Sequence, residues 1–580
     1  MRFGLLYEHQ LPRPWGPDSE HRLIQDALDQ VELADRLGFD FVWAVEHHFL
    51  EEYSHSSASD VFLAACSQRT RDIRLGYGIL PLPPGYQHPA RVAEKAAILD
   101  LVSGGRCELG TGETSSGSEL GGFGVDRDTK RAQWEEALDV VTRMMVEEPF
   151  AGHDGRFVSV PPRNIVPKPL QKPYPPLWVA CSRRDTIRTA AEKGLGALSF
   201  SFVEPEEAAG WVQEYHAILA SERCVPAGFA VNPSFAVALP MMVHADEQQA
   251  IERGIDGAHF FGYALAHYYV FGEHRPGATS IWDEFLARRE AVGFSREVIT
   301  PDQAPLGVKI LQEGLGSLRG AIGTPAQLRE LIGRYEAAGV DQMIFVLQAG
   351  TNRHEHICEA LELFAAEVMP DFSARAPARE AAVRERLAGA MDAALARRAA
   401  PRKVADAGYA IGPMDSGPPA PPAGAASAVA ASAPAPRAPA LSLEQRAETA
   451  FRAFVRRSGD RRLERSFGSR AGLRVLFGAM ERAFVPAAAQ GFSGELAYAL
   501  KPAGGAVRWW TVAVDADRAR AQRRAPRDAA LVLEMGLADF VRMAAGELDP
   551  GKALLTGRLD VKGDFALVLR LGEMFGRAAA

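Results

Sequence analysis

Glu46, His47 and His48 follow a short apolar run and are the residues most suited to moving protons. Imidazole changes charge near neutral pH, and a hydrogen-bonded neighbour fixes its tautomer, so an acid beside paired histidines can supply a general base with its orienting partner. The catalytic reading is therefore His47 with Glu46. The competing reading packs one histidine under a rim and leaves the other solvated. A metal site is disfavoured, because adjacent residues on a strand point to opposite faces. Further on, Gly76 and Gly78 lead into Pro81 and Pro84. Small residues followed by prolines fit a bulge or an unusual peptide against which a flat ring could lie, or else a rigid turn. Gly110, Gly112, Thr114, Ser115 and Ser116 form a glycine- and hydroxyl-rich stretch that offers backbone N–H groups to an anion, with Glu113 opposing it. Cys181, Ser182, Arg183 and Arg184 precede a helical stretch and make a better phosphate clamp, combining helix dipole, hydroxyl and guanidinium.

These groups need a scaffold that brings separate strand ends together. Up to about residue 370 the sequence alternates short β-rich runs with amphipathic helical stretches, the pattern of repeated βα units. Strands are expected at residues 3–7, 39–45, 73–79, 106–110, Leu177–Cys181, 197–202, Phe235–Val243 and 342–347. Helices are expected at Ser19–Leu37, stopped by Gly38, and at Ser59–Arg69 among others. Eight such units, with no phosphate-binding glycine motif after the first strand, favour a closed (β/α)8 TIM barrel over an open doubly wound sheet. In a barrel the residues just after each strand carry the chemistry, which is where the groups above lie. Two segments break the alternation. Residues 150–174 contain an Asp154, Gly155 turn and read as an inserted hairpin. Residues 260–320 are a long excursion whose Phe260, Phe261, Tyr263, Tyr268, Tyr269 and Phe271 imply an apolar mouth over the site.

A chain of 580 residues exceeds one ordinary core. With 47% hydrophobic and 24% charged residues it has the balance of a globular protein, which excludes wholesale disorder. The net charge of -8 provides no field for nucleic acid or an anionic membrane. Five scattered cysteines form neither a metal motif nor a disulfide framework, and no run reaches the ~18 apolar residues of a membrane span. Charges also precede any apolar stretch of signal length, so a cytoplasmic protein is expected.

From residue 373 the composition shifts to a charged helix and then to a Pro/Ala/Gly-rich linker at 412–439, which buries too little apolar area to fold. Residues 441–580 read as a small α+β domain, with a helix at 441–457, strands at 493–500 and 509–514, a turn at Gly504 and Gly505, a helix at 537–545 and a final helix ending in Met574 and Phe575. The expected division is thus 1–372, 373–440 and 441–580.

Trp43 with Glu46, His47, His48 and Phe49, the run 73–84, His88 with Pro89 and Arg91, Ser103 with Arg106, and Gly110 with Gly112 together resemble the bacterial luciferase-like flavin-dependent monooxygenase family, through about residue 370. The resemblance implies reduced FMN supplied by a separate flavin reductase, or in some branches F420, with O2 as co-substrate. It places His47 beside the flavin in proton transfer, the Pro81 region behind the ring, and Ser182 with its neighbours Cys181, Arg183 and Arg184 at the phosphate; Gly78, Gly112 and Thr114 are expected to bind the cofactor as well. Glu113 stands where luciferases carry a phosphate-binding arginine. Phe492, Gly494, Trp510, Phe540, Asp549, Pro550, Lys552, Gly557, Gly563 and Asp564 similarly resemble the sterol carrier protein 2 family, which implies an apolar ligand held between sheet and helices. The competing reading makes Phe540, Leu567, Leu571 and Phe575 simply core. The expectation is a monooxygenase acting on a lipid, terpenoid or polyketide-like molecule, compatible with a homodimer. Its rivals are an F420-dependent oxidoreductase on the same barrel and a lipid-binding scaffold without chemistry.

Overall fold

The computed structural model describes residues 1–182, 184–199, 204–289, 320–405 and 409–411, and in the C-terminal part 451, 454–489, 492–503, 505–515, 518–527, 529–548, 553, 558–563, 571 and 574–575. Eight parallel strands, β1 (Arg2–Tyr7), β2 (Phe41–Ala44), β3 (Arg74–Pro81), β4 (Cys107–Gly112), β5 (Leu177–Cys181), β6 (Gly196–Ser199), β7 (Phe235–Val243) and β8 (Gln342–Val346), pair in sequence. The ring closes because β8 pairs with both β1 and β7 while β6 pairs with β7. A short strand, Ala321–Gly323, pairs in parallel with the end of β7. The strands are apolar almost throughout because parallel strands in a barrel are covered on both faces; all nine residues of β7 are buried.

The helices on the outside follow the signals in the sequence. Helix α1 (Ser19–Leu37) buries Leu23, Ala27, Val31 and Ala34 on one face. It ends where Gly38 takes φ 87° and donates back to the carbonyls of Ala34 and Asp35, a conformation that costs other residues a Cβ clash. Helix α2 (Pro89–Val102) starts on His88, whose ring accepts from the Ala90 N–H, with Pro89 at the first helical position. Phe3 packs edge-on against Phe364 at 5.0 Å, and Phe364 in turn meets Phe345 and Phe39. The hairpin expected at 150–174 is present as His153–Asp154 against Ser159–Val160.

The charged helix Ala376–Arg397 packs on the barrel, within one unit spanning Met1–Ala420. Leu387 and Ala394 are buried, Arg2 pairs with Glu380 at 2.7 Å and Arg397 donates to the Cys224 carbonyl. The 260–320 excursion also differs from expectation in part. Helix α3 (Glu247–Ala266) runs into a π-helical turn, His267–Phe271, and a further helix, Ile281–Arg288. Phe260 and Tyr263 do not line a mouth: both are buried, and both pack on Phe285. Phe261 and Tyr268 instead meet Tyr53 in the loop after β2. The Phe271 side chain and residues 290–319 lie outside the described residues.

The second unit, Pro421–Ala580, holds a five-stranded mixed sheet of β9 (Gly494–Lys501), β10 (Arg508–Asp515), β11 (Arg518–Gln522), β12 (Ala529–Gly536) and β13 (Leu559–Gly563), in the order β11-β10-β9-β12-β13. Only β9 and β12 run parallel among these pairs. Phe477, from the helix Arg470–Arg482, stacks on Trp510 at 4.5 Å and on Phe540 at 4.8 Å, so these rings are core. Leu571 is buried in the same core and Phe575 packs against it. The linker, Gly504, Asp549, Pro550, Lys552, Gly557, Asp564 and Leu567 lie outside the described residues. No described helix is long and apolar enough to cross a membrane.

Candidate active site

Barrel closure brings the exits of β1, β2 and β4 together around one imidazole. His47, two positions past Val45 at the β2 exit, has its side chain 16% exposed and faces a carboxylate on each ring nitrogen. Nδ1 lies 3.0 Å from Oε1 of Glu119, and Nε2 lies 3.7 Å from Oε2 of Glu8. Glu8 stands directly after β1; Glu119 lies in the short helix Gly117–Gly122 that follows β4.

The two carboxylates have unequal surroundings. Glu119 also accepts from the His48 N–H at 3.1 Å and from the hydroxyls of Thr114 and Ser116 at 2.7 Å each. Ser116 caps that helix, accepting from the Glu119 N–H, and Thr114 reaches Glu119 from a left-handed φ of 50°. Glu8 has one donor, the Tyr53 hydroxyl at 3.0 Å on Oε1, while its buried Oε2 has no hydrogen-bond partner. The charges follow. Burial alone would lower the His47 imidazole, but Glu119 chiefly, then Glu8 and Glu46, outweigh it and raise it to about 9. Burial would raise Glu119, yet His47 and the two hydroxyls hold it down at about 2. For Glu8 burial wins and lifts the carboxyl to about 7, against His47 and Tyr53.

The expected partner of His47 is corrected. Glu46 lies 3.5 Å from His48 and accepts from Ser59, so it orients the second histidine. Successive residues of an extended segment point in opposite directions, and Glu46 and His47 accordingly find different partners. His48 itself packs edge-on against Phe123 at 4.9 Å.

β3 carries a register shift between Tyr77 and Leu80, an irregularity of the kind its small residues and exit prolines left open. A Cβ on Gly78 would lie 3.1 Å from Trp43 Cβ, and one on Gly112 would lie 2.6 Å from Ile79, so both glycines serve close packing. Pro81 is buried at the strand end, its carbonyl accepting from Gln87. Thr114 is committed to Glu119. At the β5 exit the Cys181 side chain is buried, donates to the Val179 carbonyl and is pushed by burial to about 12, which leaves only its main chain for a ligand. Ser182 is exposed. Arg184 is drawn to Glu214 at 2.7 Å on the outer surface, and Arg183 lies outside the described residues. Glu113, expected to repel an anion, is matched by Arg131 at 2.8 Å and Lys130 at 3.3 Å. The two cations offset the Glu113 charge.

Glu8 and Glu119 were not picked out from the sequence as site residues. The signal for Glu8 was its place after β1; for Glu119 it was the Ser116-x-x-Glu119 spacing, which reads as an ordinary helix start. For a flavin, the fit rests on two observations: a glycine-bearing strand with a register shift at the β3 exit, and an unpartnered buried oxygen on Glu8.

The profile of the luciferase-like monooxygenases matches residues 1–342, and that of the SCP-2 sterol transfer family matches residues 479–576. The chain is 29% identical over 323 residues to 4-hydroxyprotoasukamycin monooxygenase of Streptomyces nodosus subsp. asukaensis, covering 52% of this chain and 80% of that protein. It is 27% identical over 198 residues to the oxygenase component of the flavin-dependent trigonelline monooxygenase of Acinetobacter baylyi, covering 33% of this chain and 52% of that one. The chain spans about half the length of several curated relatives it matches. The crystal structure of monooxygenase RslO1 from Streptomyces bottropensis superposes with a TM-score of 0.51 at 25% identity, covering 64% of this chain and 100% of that one.

Proposed function

Since this chain belongs to the luciferase-like monooxygenase family, we propose that it is a flavin-dependent monooxygenase that uses reduced FMN and O2 to oxidise an apolar small molecule. The observation that carries the reading is His47, held between two carboxylates at the strand ends where barrel enzymes place their chemistry. Reduced FMN, when bound, supplies the electrons that activate O2. Gly78 and Pro81 would back its ring, Gly112 would edge it, and Ser182 with the main chain of Cys181 and the start of the following helix would hold its phosphate, while Arg184 stays paired with Glu214 and Thr114 with Glu119.

The protein's own part is proton control and exclusion of water. Glu119 takes the Nδ1 proton of His47 in a hydrogen bond, so Nε2 carries the proton that can be delivered. Tyr53, Phe261, Tyr268 and Tyr269 crowd the same side and keep the surroundings poor in water, which strengthens every charge interaction there. Those rings also support an apolar substrate. A relative described as an oxygenase component supports delivery of reduced FMN by a separate reductase. The match of residues 479–576 to a sterol transfer family supports a tethered domain that holds the apolar ligand and raises its local concentration.

Titration of the purified chain with FMN and with F420, each oxidised and reduced, tests the cofactor, and O2 uptake tests the reaction. Binding of reduced FMN with O2 consumption supports the proposal. Binding of F420 alone without O2 uptake makes it a hydride-transferring oxidoreductase, and binding of neither leaves a scaffold. Truncation after Ala420 should raise KM for apolar substrates and spare FMN binding; unchanged kinetics would refute delivery.

A further inference from the structure

We propose that Glu8 is a proton-holding, positioning residue of this site, whose carboxyl takes up and returns the Nε2 proton of His47 while Glu119 on the other edge of the ring stays a fixed anion. The role rests on the monooxygenase reading above.

Donor counts separate the two carboxylates. Glu119 receives His47 Nδ1, the His48 N–H and two hydroxyls, so both of its oxygens are saturated with donors and none is left for a proton. Glu8 is 3% exposed and receives a single neutral donor, leaving Oε2 without a hydrogen-bond partner on the side of His47 Nε2. A buried oxygen without a donor is costly as an anion and comfortable as a protonated acid. Pairs of titratable groups whose surroundings push their proton affinities apart mark the fixed charge and the exchanging one. The groups facing Glu8 are His47 at the β2 exit, Tyr53 from the loop beyond it, Glu119 from the β4 loop and Tyr269 from the π-helical turn. Burial and Glu119 favour the protonated acid, His47 and the Tyr53 hydroxyl favour the anion, and Tyr269 is neutral, so the carboxyl is balanced between its two forms.

The step is self-contained. An N–H bond at His47 Nε2 breaks as an O–H bond forms at Glu8 Oε2; imidazolium becomes imidazole and carboxylate becomes carboxylic acid, with no change in total charge. Closing the 3.7 Å gap to hydrogen-bond length takes about 1 Å of side-chain movement. Run in reverse, the transfer reloads His47 after it has delivered its proton, without admitting bulk water.

The test uses the full chain without flavin, labelled with 15N-histidine, with the His47 ring nitrogens followed from pH 5 to 10. Two inflexions are expected, a main one near 9 from the imidazole and a smaller one near 7 reporting Glu8. Glu8→Gln should abolish the lower inflexion and weaken proton binding at His47 roughly tenfold, about one pH unit in the main inflexion. Tyr53→Phe, which keeps the carboxyl but removes its donor, should move the lower inflexion upward. A His47 titration in Glu8→Gln that superimposes on wild type overturns the role. If that variant does not fold, a lower inflexion that stays in place in Tyr53→Phe overturns it equally. Failure of the wild-type chain to bind FMN would instead sink the flavin reading while leaving these titrations intact.

Discussion

Oε1 of Glu119 lies 3.0 Å from Nδ1 of His47, although 72 positions separate them in the chain. The contact joins the exits of β2 and β4, on either side of β3, and is reinforced by the His48 N–H donating to the same oxygen. It makes His47 a cation at neutral pH, poised to give a proton rather than to take one.

Replacing Glu119 with Gln should therefore lower the His47 proton affinity and cut kcat by about a hundredfold or more, the scale of a lost general acid. KM for reduced flavin should change little. Steady-state kinetics with 15N titration of His47 checks both, and a kcat within twofold of wild type would refute the role.

The site also makes stability depend on pH, with signs that can be worked out. His47 rises from 6.5 unfolded to about 9 folded, so its contribution is complete below 6.5 and is lost as pH climbs through 9. Glu8 rises from 4.5 to about 7, so it too favours the folded state at low pH and loses that contribution between 4.5 and 7. Glu119 falls from 4.5 to about 2, so its contribution is present above 4.5 and disappears as pH falls toward 2. The barrel should thus be most stable near pH 5 and weaken toward pH 9, by several kcal/mol. Urea midpoints of the 1–420 fragment across pH 4 to 10 test this; Glu8→Gln together with His47→Gln should flatten the alkaline slope.

Gly110 in β4 has no room for a side chain: a Cβ there would overlap the Tyr77 carbonyl oxygen, which is backbone and cannot swing aside. Gly110→Ala should destabilise the barrel by about 3 kcal/mol or fail to give soluble protein. Gly117→Ala, where a Cβ meets nothing within 4 Å, is the matched control and should leave Tm within a few degrees. Equal Tm values for the two would contradict the packing at β3 and β4.

Glu52, fully buried, accepts from the Arg13 N–H at 2.7 Å and from the Ile281 N–H, with the Trp282 N–H at 3.4 Å. It thereby ties the loop after β2 to the start of the helix Ile281–Arg288. Glu52→Ala leaves buried N–H groups without an acceptor, at a cost of about 1–3 kcal/mol. Limited proteolysis should then cut faster between residues 272 and 282, and an unchanged cleavage pattern would show that the tie is redundant.

Much of this architecture was legible in the residue pattern. The alternation of apolar runs with amphipathic helices gave eight βα units, Gly38 marked the end of α1, and the Asp154, Gly155 turn marked the hairpin, because each is a local backbone preference. Local preference also placed His47 at a strand end, where barrel geometry collects reactive groups. It misjudged Phe260 and Tyr263, since an aromatic run on a helix faces both ways and only the packing of Phe285 decides which side is buried.

What the sequence alone determined, then, was the barrel and the placement of one imidazole just past a strand end. Tertiary structure decided that imidazole's partners: Glu46 beside it in the chain turns to His48, while Glu8 and Glu119 arrive from the exits of two other strands. It also matched Glu113 with Lys130 and Arg131 and drew Arg184 to Glu214. The reason is that proton affinity depends on what lies within a few ångströms, and closing a ring of parallel strands brings distant loops to that range while sending adjacent side chains apart.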